Sequence, residues 1–261
     1  MIFVKHIIRY PIKGLNGEYL KETKLSKNST ISGDRMFAFA KHDNNINEYA
    51  PIYMKKTNFL ALVKEEKLSL LNSKLNLENK NLTLGYNGKE IFSGSLDNKI
   101  DLDKLSTCMS KFLEIDLEKK PRLIKDKSNT QYNQKHSFSD IPDKAISFIN
   151  LNTLKDFENK LNKEVNHIRF RANVIFEGIK AWEEFNWLGK IIQIEDVKFE
   201  IFRRTKRCAA TNVNPKNGSR DLNIPNQLQK IYGHYDLGVY GKVVNEGIIK
   251  INDEIKIKSN T

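Results

Sequence analysis

The chain has 261 residues, of which 39% are hydrophobic and 29% charged, and its formal net charge is +12. That balance excludes a disordered chain, and the length allows one large domain or two ordinary ones around a sizeable core. The longest apolar runs are a few residues, too short for a membrane-spanning helix. The opening "MIFVKHIIRYP", broken by Lys5, His6, Arg9 and Pro11, is no signal peptide, so the expected location is the cytoplasm.

In chain order, the first hundred residues read mostly as short strands. "FVKHIIRYPI" is apolar with polar breaks, and "RMFAFAKH" is a strand ended by "DNN". "FLALVK", "LNLENKNLTLGYNG" and "KEIFSG" follow as further strands. Asn87-Gly88 between the last two accepts the positive φ of a tight hairpin turn. From Leu102 to Leu113 the period changes. Leu102, Leu105, Met109 and Phe112 share a helical face, with Cys108 near it as a core residue. "KDKSNTQYNQKH", residues 125–136, reads as a loop or join. In "DIPDKAISFINLNTLKDFENKLN" a strand precedes a helix capped by Asn152, with Leu154, Phe157 and Leu161 on its apolar face. "HIRFRANVIFEG", "KIIQIEDVKFEIFRR" and "YGKVVNEGIIKINDEIKI" read as strands. Between the last two, "PNQLQKIY" is a short helix with Pro225 in its first turn. The chain is therefore expected to be mainly β with a few helices (α+β). Short turns and no βαβ rhythm favour barrels or sandwiches over a doubly wound sheet.

The common nucleotide-binding and serine-hydrolase motifs, GxGxxG, GxxxxGK[ST] and GxSxG, are absent. Two cysteines a hundred residues apart give neither a disulfide framework nor a zinc pattern, and the five histidines never sit at ligand spacing. The positive charge invites a polyanion, but the excess is diffuse lysine in a Lys-, Asn- and Ile-rich chain. No helix–turn–helix, zinc-finger or RNA-recognition signature accompanies it, so nucleic acid is not the expected partner.

Candidate chemistry gathers at "RRTKRCAATNVNPKNG", where Arg203, Arg204, Lys206 and Arg207 precede Cys208 at the end of a strand. Nearby cations favour thiolate over thiol. A thiolate is both a nucleophile and a soft metal ligand. The same pattern also describes an ordinary buried thiol beside a solvated basic loop. Other cations lie at similar junctions: Lys13 in "YPIKG", Arg35 in "SGDRMFAFA", and Arg169 and Arg171 in "RFRANV". In a strand, those two arginines and Asn173 would share one side. With Arg204 and Arg207 they make a candidate ring for an anion.

These motifs, in order along nearly the whole chain, resemble the MOSC proteins (molybdenum-cofactor sulfurase C-terminal domain). More narrowly they resemble the two-part architecture of the mitochondrial amidoxime-reducing component and its bacterial relatives. "YPIKGLNGE", "GDRMFAFA", "YMKKTNFLALV", "FSDIPDKAISFINLNTLKDFENKLN", "RFRANVIFEG", "RRTKRCAATNVNPKNG" and "LGVYGKVVNEGIIKINDEI" each match a family segment, the R-C segment being the most diagnostic. Gly14 stands where the family has a small hydroxyl residue, Lys55 where it has Arg, and Ala172 where it has Pro. The resemblance implies a smaller N-terminal β-barrel-like domain at residues 1–118 followed by a MOSC β-barrel domain at 119–261. It implies Cys208 as catalytic residue and thiolate ligand of molybdenum. Lys13, Arg35, Lys55, Arg169, Arg171, Asn173 and Arg207 would hold molybdopterin. The implied activity is reduction of small N-hydroxylated substrates such as amidoximes, hydroxylamines or N-hydroxylated bases. Only two cysteines leave no iron–sulfur domain, so electrons would come from a separate flavoprotein, ferredoxin or cytochrome-type partner. The alternatives are a sulfur or cofactor carrier using Cys208 and, more weakly, a basic nucleic-acid module. Pyridoxal phosphate, which sulfurases hold in a separate domain, is not expected in this chain.

Overall fold

In the computed structural model, residues 1–42, 56–126 and 138–258 are described. The chain opens with β1 (Phe3–Arg9), β2 (Glu18–Leu20), β3 (Glu22–Leu25) and β4 (Phe37–Ala40). A meander of β5 (Leu71–Asn76), β6 (Asn81–Tyr86) and β7 (Lys89–Ser95) leads into α1 (Lys99–Leu113) and β8 (Arg122–Lys125). Next come β9 (Ile146–Asn150), α2 (Leu151–Leu161), β10 (Val174–Glu177), β11 (Ile191–Ile194) and β12 (Val197–Lys206). The last elements are α3 (Ile224–Tyr232), β13 (Asp236–Val243), β14 (Gly247–Lys250) and β15 (Ile255–Lys258). The architecture is mainly β with a few helices, as the alternation predicts.

Eight strands form one sheet in the order β15-β11-β12-β13-β9-β10-β1-β2. The sheet curls until its ends approach: Phe3 bridges Glu254, and Val4 N donates to Asp253 O at 3.0 Å. Beside that seam β14 pairs with β3. Curling puts one face of each strand inward. Val4 and Ile7 of β1, Phe148 of β9, Phe176 of β10 and Phe199 of β12 meet in one core with the buried Trp187. The outer face of the central strands is covered as well. Ile8, Tyr10, Ile149 and Ile175 pack beneath Leu154 and Phe157 of α2 and Leu228 of α3. Strands covered on both faces read as near-continuous apolar runs, which is why "AISFI" and "NVIF" show no alternation. β9 and β10 are parallel neighbours joined through α2, so one βαβ unit sits inside the otherwise antiparallel sheet. The sequence reading had none.

The preceding lobe holds β4 with β8, the β5–β6–β7 meander and α1. Leu105 and Met109 of α1 pack on Leu71, Leu82, Leu84 and Phe92 of the meander. Asn98 caps α1 by accepting from Ile100 N and Asp101 N. Asn87 and Gly88, at φ 49° and 76°, make the β6–β7 turn where it was expected. Cys108 packs half-buried against this core, and burial pushes its thiol up. The lobes are not sequential blocks. β1 and β2 belong to the large sheet, and Ile12 bridges Phe37 of β4.

Three sequence expectations are corrected. "FLALVK" is not a strand: Phe59 makes one bridge to Ala40, and the chain then turns at residues 62–64. The cap of α2 is Asn150, whose side chain accepts from Asn152 N, rather than Asn152 itself. "HIRF" is a single 3-10 turn at His167–Phe170 followed by Arg171 in the left-handed region, so Arg169 and Arg171 do not share a strand face. Among the described residues no helix is long and apolar enough to cross a membrane.

Candidate functional site

The site is built where the chain leaves β1. Tyr10 follows the strand, fully buried, and its N–H donates to Asp34 Oδ1 at 2.7 Å. Asp34 Oδ2 takes Arg35 Nη1, and Arg35 N donates to Tyr10 O at 2.6 Å. The "GDR" turn is thereby clamped onto "YP". Because β10 lies beside β1 (Ile7 opposite Val174), Arg171 arrives at the same place from the far end of the chain. Arg35 Nη2 donates to Arg171 O at 2.7 Å, and both guanidiniums flank the Tyr10 ring at 5.1 and 4.5 Å. Arg35 and Arg171 both hold positive φ, 48° and 53°. Left-handed non-glycine residues are costly and concentrate at functional sites.

Lys13, Gly14, Arg35 and Arg171, with Asp140 and Ala210, line a small cleft of about 40 Å³. Lys13 is buried, and its Nζ donates to Phe138 O at 2.7 Å and approaches Asp140 Oδ1 to 3.9 Å. Gly14 sits at φ +89°, a conformation that a side chain at that position would strain.

Cys208 follows β12. It is exposed, and its carbonyl accepts from Thr211 N at 3.0 Å and Thr211 Oγ1 at 2.8 Å, opening a short turn at Ala209–Asn212. Two residues on, Ala210 reaches the cleft lining. The neighbouring Arg207 is buried and turned inward. Its Nε and Nη2 donate to Leu237 O and its Nη1 to Phe170 O. A Cβ at Gly238 would meet Phe148 O at 2.3 Å and crowd Arg207 Nη2 at 3.3 Å. Arg203, Arg204 and Lys206 are exposed. Arg204 lies over the Phe185 ring at 4.2 Å and Lys206 over Tyr235, so Arg204 does not join the expected ring.

Burial, then the like charge of Arg35, pushes Arg171 down to about 10, and burial pushes Arg207 to about 10. Arg35 goes the other way: burial pulls it down, but Asp34, Asp140, Tyr240 and Tyr10 together outweigh burial and push it up. Among the described residues no carboxylate lies within 4.0 Å of Arg171 or Arg207; backbone carbonyls hold them instead. Both guanidiniums are thus desolvated and held by neutral backbone acceptors. Asp140 acts electrostatically on Arg35, Arg171 and Arg207, and Tyr240 on Arg35 and Arg207. Cys208 lies within the same reach of Arg207.

The other expected ligands stand apart. Arg169 is buried, with Nη2 on both oxygens of Asp221 at 2.7 and 2.9 Å and Nη1 on Asn212 O at 3.1 Å. It braces the turn after Cys208. Asn173 spends its side chain inside the sheet, accepting from Ser147 and donating to Ile8 O. Lys55 lies outside the described residues. Asp34, Tyr10, Asp140 and Tyr240 were missed as site residues, although each falls in a quoted motif. An acidic residue next to Arg35 was the available signal.

The turn carrying Arg169 begins at His167, whose ring stacks on His6 at 5.4 Å, with Tyr19 Oη 3.1 Å from Nε2. Burial, then His6, lowers His167 from 6.5 to about 4. Its neutral form stabilises the fold above pH 6.5, and that contribution is lost as pH falls toward 4. The urea midpoint is expected to drop across this window, and His167→Gln is expected to flatten the slope. An unchanged slope would contradict the assignment.

The chain matches two family models, the MOSC N-terminal beta barrel domain over residues 1–123 and the MOSC domain over residues 133–256. It belongs to the MOSC family. Among similar proteins, this MOSC chain is 28% identical over 115 residues to "Mitochondrial amidoxime-reducing component 1" of Homo sapiens, covering 40% of this chain and 34% of that protein. It is 28% identical over 122 residues to "Mitochondrial amidoxime reducing component 2" of Rattus norvegicus, covering 42% and 36%. The matched region thus spans about a third of these relatives' length. Among solved structures, the YUAD protein from Bacillus subtilis aligns over 100% of this chain and 98% of its own, at 11% identity and a TM-score of 0.46.

Proposed function

We propose that this MOSC chain holds the molybdenum cofactor with Cys208 as the protein thiolate ligand, and that it reduces N-hydroxylated compounds such as amidoximes. The observation that carries this reading is the cleft itself. Lys13, Arg35 and Arg171 converge from three separate segments on one small cavity, whose lining also holds Ala210, two residues after the exposed Cys208. The donor set fits the group. Among the described residues no cluster of three or more His, Cys, Asp or Glu could hold a metal ion, so one thiolate leaves the remaining ligands to the cofactor. Arg171 and Arg35 supply forked donors for phosphate oxygens, and Lys13 a point charge. Arg207 stands behind the lining and adds positive potential near the Cys208 sulfur.

When bound, the cofactor supplies the redox chemistry that takes up the N-hydroxyl oxygen. The chain's part is to fix the thiolate, seat the anion and exclude water from the Tyr10 side. Two electrons and two protons convert an amidoxime to an amidine and water. The reduction is in keeping with relatives named for amidoxime reduction, and the electrons come from a separate protein donor. A second reading, carriage of sulfur or cofactor, draws on the exposure of Cys208. Reduced methyl viologen with benzamidoxime separates the two. Viologen oxidation with benzamidine formed in step supports the reductase. Metal-loaded protein that oxidises no viologen with any N-hydroxylated substrate supports the carrier.

A further inference from the structure

A second cavity lies in the N-terminal lobe, away from Cys208. It encloses about 260 Å³ between the β4–β8 pair and the β5–β7 meander, beneath the start of α1. Met36, Phe37, Leu75, Leu96, Leu102 and Leu123 supply half of its lining; Asn76, Lys80, Asp97 and Lys125 are its polar members. Leu77 at its edge is exposed, so the lobe leaves apolar surface open here. A polar pouch of about 380 Å³ adjoins it, sharing Met36 and Lys125. That pouch has the opposite chemistry, with the hydroxyls of Ser26, Ser29, Thr30 and Ser32 and the amines of Lys24, Lys125 and Lys144. Its carboxylates are Asp126 and Asp34, the latter bound to Arg35. Among the described residues no carboxylate lies within 4.0 Å of Lys24 or Lys125.

We propose that the joined cavities bind a free single-chain amphiphile with an anionic head, such as a medium-chain carboxylic acid. The tail would lie among the leucines and the head between Lys125, Lys24 and the serine hydroxyls. An apolar trough that ends in the ammonium groups of Lys24 and Lys125 and the hydroxyls of Ser26 and Ser32 is complementary to this shape and charge, and to neither a neutral oil nor a polyanion. Together the volumes fall in the ~300–1,000 Å³ range usual for small-molecule sites. Asp34 lines the polar pouch on one side and clamps Arg35 and Tyr10 on the other, so the site backs onto the cationic cleft. The proposal does not depend on the molybdenum reading, and its test needs no activity.

Decanoate, decanol and phosphate are titrated into the full chain by isothermal calorimetry, alongside Leu102→Trp, which fills the trough, and the surface change Lys125→Glu. Decanoate is expected to bind one per chain. Leu102→Trp is expected to abolish binding of both decanoate and decanol. Lys125→Glu should weaken decanoate roughly tenfold while leaving decanol unchanged. Because Lys125 is exposed, that arm stands even if Leu102→Trp misfolds. The proposal is overturned if decanoate shows no saturable binding, or if neither variant alters it. It is also overturned if the protein binds only phosphatidylglycerol vesicles, which points to a bilayer lipid. A concentration-dependent dimer that Leu102→Trp dissolves overturns it as well, since the trough then covers a second copy.

Discussion

Cys208→Ala is expected to lower viologen-dependent reduction of benzamidoxime by more than about 100-fold, a loss that outer-shell changes at metal sites already approach. The same change should leave the thermal midpoint nearly unmoved. Cys208 is exposed, and its carbonyl, which alanine keeps, accepts from Thr211 N and Oγ1. Its backbone, at φ −123° and ψ 174°, is ordinary extended geometry. Cys108→Ala is the control. That thiol packs in the N-terminal lobe with Sγ 3.6 Å from Ile91 O, and its removal should spare the reaction. Equal losses in both variants would point to general damage rather than to a thiolate ligand.

Asp34→Ala is expected to destabilise the fold by about 3–5 kcal/mol, the range for removing one partner of a buried ion pair. Asp34 is 3% exposed and Arg35 is 9% exposed, so water cannot replace the lost carboxylate. The change strands the Arg35 guanidinium and leaves Tyr10 N–H without its 2.7 Å acceptor. Arg171 would then face an uncompensated like charge across the Tyr10 ring. Asp34→Asn keeps one acceptor oxygen, for either Tyr10 N–H or the Arg35 guanidinium but not both, and should lose less. Urea unfolding of both variants checks the order. A loss below about 1 kcal/mol for Asp34→Ala would mean that the pair behaves as an exposed one.

Local pattern carried much of the fold into the sequence. The Asn87-Gly88 turn, the amphipathic face of α1 and the alternation of β12 through Val197, Phe199 and Ile201 are each set by neighbours a few residues away. The segment at 167–173 misled because its residue types alternate like a strand. Asn166 instead accepts from Ile168 N and Arg171 turns left-handed, and the pattern of residue types does not encode that turn. Arg169 and Arg171, two residues apart, consequently have different fates: one braces Asp221 and the other enters the cleft. The apolar pattern of α2 puts its cap at Asn152, two residues past the true cap Asn150, because periodicity alone does not fix a helix end to the residue. The meeting of Lys13, Arg35 and Arg171 rests on β1 lying beside β10, a pairing across more than half the chain. Spacing cannot show that, and the order of the family motifs was the available guide to it.

The most direct test of a cofactor seated by these cations and Cys208 is a metal count. Wild-type protein from a host that makes molybdopterin is analysed by inductively coupled plasma mass spectrometry for molybdenum per chain. The account predicts close to stoichiometric molybdenum. Folded protein that carries none, from a host whose other molybdenum enzymes are loaded, would contradict it.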